Sequence, residues 1–236
     1  MAKIIRSLSL RAIAVHSFAA VLISINWSAF IWASIHGSVL ESGLGYLVAP
    51  VVVMLIGILA FNEEIYRENI TAIIFIAIAL IFLMLYEENL NSWVYWTIGL
   101  TWGGYTVLKK FSSLTPVDGL LIETCFLLIA ILIVSFFVNP TDYDISFHLL
   151  NTNKLLYLCG LVSVTPLIMF SFAAKKLSSY SMGAMQFVLP TTQFFVSIRF
   201  YNQYMSAQTY ICLGAIWIAL IITTFIKAHR NKMLNN

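Results

Sequence analysis

Eight long apolar runs leave this chain few folds to choose from. They lie at about Ala12–Ile35, Ser42–Phe61, Ile70–Tyr86, Ser92–Leu108, Leu120–Val138, Leu155–Ala174, Ser179–Phe200 and Thr209–Ile226. Each holds about 17–24 residues, and about 20 apolar residues cross the ~30 Å hydrocarbon core of a bilayer as a helix. The runs are continuous, whereas strands of a membrane barrel would alternate apolar and polar residues. Connections are short, so no soluble domain fits between the runs. Of the 236 residues, 61% are hydrophobic and only 10% charged, against about 25% in an ordinary soluble domain. Too few charges remain to coat a water-facing surface. A soluble enzyme, a nucleic-acid binder and a disordered chain are thereby excluded. The expectation is an all-α, polytopic membrane protein of eight transmembrane helices, with the lipid bilayer as its main partner. Lys3, Arg6 and Arg11 precede the first run as in a signal peptide, but that run is too long and seven more follow. Cys125, Cys159 and Cys212 are scattered in apolar runs and read as small hydrophobes, with no metal site or disulfide.

Lys and Arg set the orientation. With alternating sides, eleven of the 13 fall on one face: Lys3, Arg6, Arg11, Arg67, Lys109, Lys110, Lys175, Lys176, Lys227, Arg230 and Lys232. Only Lys154 and Arg199 fall on the other. Both termini are therefore expected in the cytoplasm, with the chain multi-pass in a bacterial-type inner membrane.

Part of the chain superposes on itself when Gly43 is laid on Gly183. Pro50 then falls on Pro190, Asn62 on Asn202, and Ile76–Ile81 on Ile216–Ile221. Residues 41–85 and 181–225 share ten identities without a gap. Span boundaries coincide too. The first span maps to the sixth, an odd offset of five spans, so the copies would lie inverted in the membrane. Many secondary transporters follow that plan, with a midplane site between the copies. The expected division is 1–90, an incomplete first repeat of three helices, and 91–236, a second repeat of five. By this symmetry the chain reads as a ten-helix design without its first two helices.

The residues Asn26-Trp27, Phe30-Ile31-Trp32-Ala33, Leu40-Glu41-Ser42-Gly43-Leu44-Gly45-Tyr46 with Pro50, Leu108-Lys109-Lys110, Gly119–Thr124, Gln186–Pro190 and Phe200-Tyr201-Asn202 carry a resemblance. They resemble the drug/metabolite transporter superfamily, and within its EamA fold the RarD subgroup, over the whole chain. That resemblance implies two five-helix EamA repeats, no bound cofactor, and export or import of small organic solutes. The sequence departs from it in lacking two helices, and in having Asn202-Gln203 where the first copy has Asn62-Glu63-Glu64.

Glu123 is the most informative side chain. It lies about three residues into the fifth span, where a carboxylate is costly enough to face a cavity or a partner. It reads as a proton- or cation-coupling acid or a substrate contact. The plainer alternative is an interfacial Glu paired with Lys109 or Lys110. Glu41 reads mainly as an N-terminal cap. Pro50 and Pro190 each remove a backbone hydrogen bond inside a span and are expected to kink it. Gln186 and Gln193 place a polar stripe beside Pro190, where amides need partners or a solute. Asn26, Trp27, Trp32, Tyr46, Trp102 and Tyr105 are candidates for a cavity wall suited to a flat or amphiphilic solute. Helix packing and an interfacial belt of Trp93, Tyr95 and Trp96 are the plainer alternatives. His16 reads as a bundle residue rather than a proton relay.

Neither a Walker loop, a His-Glu-x-x-His run nor a Gly-x-Ser-x-Gly run is present, so ATP is not the energy source and no enzyme constellation is seen. The expected function is secondary transport, as efflux or exchange, of small organic metabolites or drugs by alternating access. The alternative is a truncated, inactive or regulatory membrane protein. A second copy of the chain, forming a homodimer, could also replace the two helices.

Overall fold

The computed structural model describes residues 9–61, 66–86, 90–137 and 155–234. Among the described residues there are nine α-helices and no strand. They are α1 (Leu10–Ile35), α2 (Val39–Phe61), α3 (Arg67–Tyr86), α4 (Ser92–Phe111), α5 (Pro116–Phe137), α6 (Leu155–Lys176), α7 (Ser179–Gln186), α8 (Val188–Tyr201) and α9 (Ala207–Leu234). Lys3, Arg6, Asn62-Glu63-Glu64 and Lys154 lie outside the described residues. Among the described residues, five helical segments are long and apolar enough to cross a membrane: Leu10–Ile35, Val39–Ala60, Asn69–Tyr86, Pro116–Phe137 and Ala207–Ile226. Helices also form over the expected fourth and sixth spans, Ser92–Phe111 and Leu155–Lys176.

The expected seventh span is two helices. Phe187 separates α7 from α8, and there the hydrogen bonding tightens to Phe187 N–H donating to the Ala184 carbonyl (3.4 Å). The cause is local. Pro190 has no N–H to offer the carbonyl of Gln186 four residues earlier, and its ring crowds that carbonyl. Its mate Pro50 lies inside α2, which stays a single helix.

The helices fall into two compact units. One holds the described parts of Met1–Ser24 and Leu108–Lys176, the other those of Ile25–Val107 and Leu177–Asn236. Both α1 and α4 contribute to each.

In the second unit α2 packs on α7 and α8, and α3 packs on α9. These helices start at residues 39 and 179, and at 67 and 207. Each thus packs against the helix that starts at the same offset from it. Leu44, Leu47, Met54, Ile76, Leu83, Phe187, Phe194 and Ile216 form the core between them. Two glycines allow the close approach of α2 to α7–α8. A Cβ on Gly43 would lie 3.2 Å from the Phe194 ring, and one on Gly183 would lie 2.8 Å from Met54. Residue 54 is offset from 194 as 43 is from 183, so the two contacts are reciprocal, as in an isologous pairing. Gln203 adds a polar tie: Leu40 N–H donates to its Oε1 (3.0 Å), and its Nε2 donates to the Gly37 carbonyl.

On its other flank α2 carries α4. A Cβ on Gly45 would lie 2.8 Å from Ile98, and one on Gly99 would lie 2.7 Å from Val48. Enclosed on both flanks, residues 41–50 are all buried.

In the first unit α5 packs on α6. The buried residues of α5 are Pro116, Gly119 and Glu123, all in its first half. Its second half is apolar and exposed, with Leu128, Ile131, Leu132, Val134 and Phe136 all outward. That pattern suits a helix whose surroundings are lipid.

Candidate functional site

Two polar clusters stand out against the apolar helices, one in each unit. The first is charged. Glu123 on α5 receives Lys109 Nζ, from the last turn of α4, on both carboxylate oxygens at 2.6 and 2.7 Å. His16 Nδ1 on α1 lies 2.7 Å from the same Oε1. The other ring nitrogen, Nε2, is 2.8 Å from Ser112 Oγ. All three ionisable side chains are buried, His16 at 1%, Lys109 at 2% and Glu123 at 2% exposure. Desolvating one charge is expensive, and a paired, hydrogen-bonded arrangement offsets that cost.

Glycine makes the geometry possible. A Cβ on Gly119 would collide with the His16 ring at Cε1. Only the bare backbone lets the imidazole lie against α5 within reach of a carboxylate one turn further along. Thr115 starts that helix, its Oγ1 accepting from Asp118 N–H (3.2 Å) and donating to the Asp118 carboxylate (2.7 Å). Nearby, the Lys175 ammonium donates to the Leu114 carbonyl.

Chemically the cluster holds one carboxylate between a cation and an imidazole. His16, in contact on both ring nitrogens, links the carboxylate to Ser112.

The second cluster is neutral. Asn26 Nδ2 on α1 donates to the Ile98 carbonyl (3.0 Å) and to Thr101 Oγ1 (3.1 Å) on α4. Its Oδ1 accepts from Tyr46 O–H on α2 (3.2 Å). Tyr46 meets Trp102 edge-on at 6.2 Å, and Trp102 stacks on Tyr105 at 5.6 Å. Four of the expected cavity residues, Asn26, Tyr46, Trp102 and Tyr105, thus form one constellation. Asn26 and Tyr105 are fully buried and Trp102 half-buried.

Trp32 packs with Trp102 against the cluster of Ala29, Ala33, Tyr46, Val94 and Ile98, and also stacks on His36 and meets Trp93 edge-on. The remaining candidates lie elsewhere. Trp27 is exposed. Pro50 and Pro190 are buried on α2 and α8. Gln193 is half-buried beside Gly43. Gln186 is buried at the end of α7, and neither its Oε1 nor its Nε2 has a partner among the described residues.

The sequence offers Lys109 as a partner of Glu123, and the structure makes that pair. It does not offer His16 as the third member. The signal is depth: His16 enters the first span, Lys109 leaves the fourth and Glu123 enters the fifth, all close to the same face. Thr101, Ser112 and Gln203 are also unforeseen, since polar residues near helix ends carry no pattern that names their partners.

No family model matches the chain. Among curated proteins it is similar to an uncharacterized transporter, YojE, of Bacillus subtilis, with 32% identity over 88% of this chain and 69% of the relative. The chain belongs to the RarD-like transporters. The RarD protein of Escherichia coli is 29% identical over 86% of this chain and 69% of its own length. A chloramphenicol-sensitive protein RarD of Pseudomonas aeruginosa is 26% identical over 86% and 68%. Membership accounts for the multi-pass, apolar helices and agrees with a membrane transporter rather than an enzyme.

Proposed function

We propose that this RarD-like chain is a secondary transporter of small organic solutes, working by efflux or exchange across a bacterial-type inner membrane with both termini cytoplasmic. The single observation that carries the reading is the buried Glu123–Lys109–His16 cluster in a chain of otherwise apolar helices. Charges held inside membrane helices are costly, and in transporters they lie on ion or substrate pathways. Glu123 is the coupling acid in this reading. Lys109 pairs with it until a proton or cation competes, and His16 orients it.

The solute would meet the aromatic wall of Tyr46, Trp102 and Tyr105 with Asn26, and the amide of Gln186, which has no partner among the described residues. Trp27, Trp32, Pro50, Pro190 and Gln193 complete the proposed pathway. Ring faces of this kind favour a flat or amphiphilic molecule. Alternating access would move one EamA-type repeat, 1–90, against the inverted second, 91–236, with eight helices crossing the bilayer. Support comes from the matched helix starts, 39 with 179 and 67 with 207, and from the reciprocal contacts of Gly43 and Gly183.

Purified protein in proteoliposomes tests this. Chloramphenicol, which the Pseudomonas relative's name mentions, is the first solute to try. Uptake should follow an imposed proton gradient, and Glu123→Gln should flatten its dependence on pH. The neighbouring groups His16, Lys109, Asp118 and Lys175 stay in place in that variant. A gradient-independent leak of equal size in both proteins would overturn the proposal.

A further inference from the structure

The charged cluster does not end at His16. Ser112, whose Oγ lies 2.8 Å from His16 Nε2, is half-buried and forms part of the wall of a small cavity. The cavity holds about 270 Å³ and is lined also by Ser9, Arg11 and Val15 around the start of α1, and by Ser113. Three serines and an arginine give it polar partners, and a water occupies about 30 Å³ of liquid volume, so several waters fit. Arg11 is exposed, where solvent and salt screen its charge.

The hydrogen bonds between this cavity and Glu123 point one way. In its ionised form Glu123 can only accept, so the proton in its 2.7 Å contact with His16 sits on Nδ1. A neutral imidazole protonated at Nδ1 accepts at Nε2, so Ser112 donates its O–H there. Ser112 Oγ itself accepts from Leu114 N–H (3.3 Å). A hydroxyl oxygen has two lone pairs, and the second can take a water of the cavity. The ring is packed against Gly119 at Cε1, the carbon between its two nitrogens.

We propose that Ser112 and His16 carry protons between this cavity and Glu123, and that the cavity is the entry for the coupling proton on the face expected to be cytoplasmic. The inference rests on the reading of Glu123 as the coupling acid. In one passage a hydronium in the cavity gives a proton to Ser112 Oγ while the Ser112 hydroxyl proton moves to His16 Nε2. The Nδ1 proton moves to Glu123 Oε1. Water remains in the cavity, Ser112 is again a hydroxyl, His16 is neutral with its proton on Nε2, and Glu123 is a carboxylic acid. The return passage runs the same transfers backwards and restores Nδ1–H, so the ring stays against Gly119 throughout. Histidine suits this role because it gives and takes protons on two separate atoms, and carboxylate–histidine chains serve as proton relays in membrane pumps. The charged groups beside the path are Lys109 on the carboxylate, Lys110 next to it in the last turn of α4, Asp118 and Lys175 near the start of α5, and Arg11 at the cavity.

Time-resolved infrared spectroscopy of the full chain in lipid nanodiscs tests the path with no solute present. After a drop in pH, the carboxylic-acid band that Glu123→Gln abolishes should rise. Ser112→Val, which puts a methyl group where a hydroxyl is needed, should slow that rise by about a hundredfold. Ser112→Thr has the same shape but keeps a hydroxyl, and should retain most of the rate. His16→Ala should be slow as well, and added imidazole should speed it in proportion to its concentration, which a merely structural histidine would not allow. Ser17→Ala removes a hydroxyl that bonds only the Ala14 carbonyl and should behave as the parent protein. Equal rates in Ser112→Val and Ser112→Thr, or no response of His16→Ala to imidazole, would overturn the path and leave Glu123 as an acid reached by another route. A band that never appears in the parent protein would overturn the coupling-acid reading, and the path with it.

Discussion

Two stretches related by the internal repeat, α2 and the pair α7–α8, have different fates. Both carry a proline at the matching place, Pro50 and Pro190. Only α2 continues through its proline as one helix; its mate breaks at Phe187. Loss of one backbone hydrogen bond is the same in both. What differs is enclosure. Packed by α4 on one flank and by α7–α8 on the other, α2 is buried throughout 41–50. Met185, Val188 and Leu189 of the second stretch are exposed. Packing on both flanks accompanies the unbroken α2, yet α6 also runs unbroken through its exposed Pro166, so enclosure is not by itself what decides the break.

Substitutions at matched positions can break that comparison. The largest difference should come from Gly45→Leu against Met185→Leu. The first drives a side chain into Ile98 and the Tyr95 carbonyl and should cost about 3 kcal/mol or more by overpacking. The second, on an open surface, should stay within about 0.5 kcal/mol. Thermal unfolding in detergent reads both. Equal losses would mean that the second flank is as enclosed as the first.

Val48→Ala against Val188→Ala is gentler. The buried member should lose roughly 1–3 kcal/mol through lost burial and a residual cavity. The exposed one should be near neutral in the same assay.

Smallest is the effect of the prolines. Pro190→Ala restores a donor to the Gln186 carbonyl and should join α7 to α8, raising stability by about 1 kcal/mol. Slower hydrogen exchange over 187–191 would report it. Pro50→Ala, in a helix already continuous, should change exchange less. If both variants respond alike, enclosure plays no part in the break.

The charged cluster obeys the same logic of surroundings. Glu123 is visible in the sequence as an isolated acid at a helix start, and Lys109 as a neighbour across a short connection. His16 is not, because 107 residues separate it from Glu123. Nothing in its own span, read alone, marks it as more than a bundle residue. The same holds for Asn26 and Tyr46, each a lone polar group in an apolar run until α1, α2 and α4 bring them to one point. Gln186 shows the reverse case. In the sequence it is one amide of a stripe, yet its side chain ends without a partner among the described residues.

By itself the sequence determined that the chain is helical and membrane-bound and roughly where each helix starts. These follow from hydropathy, charge and spacing, which act residue by residue along the chain. Only the tertiary structure decided which proline breaks its helix, which acid has which partners, and which flank lies open. Those outcomes depend on what stands opposite each side chain, and one-dimensional order does not carry that information.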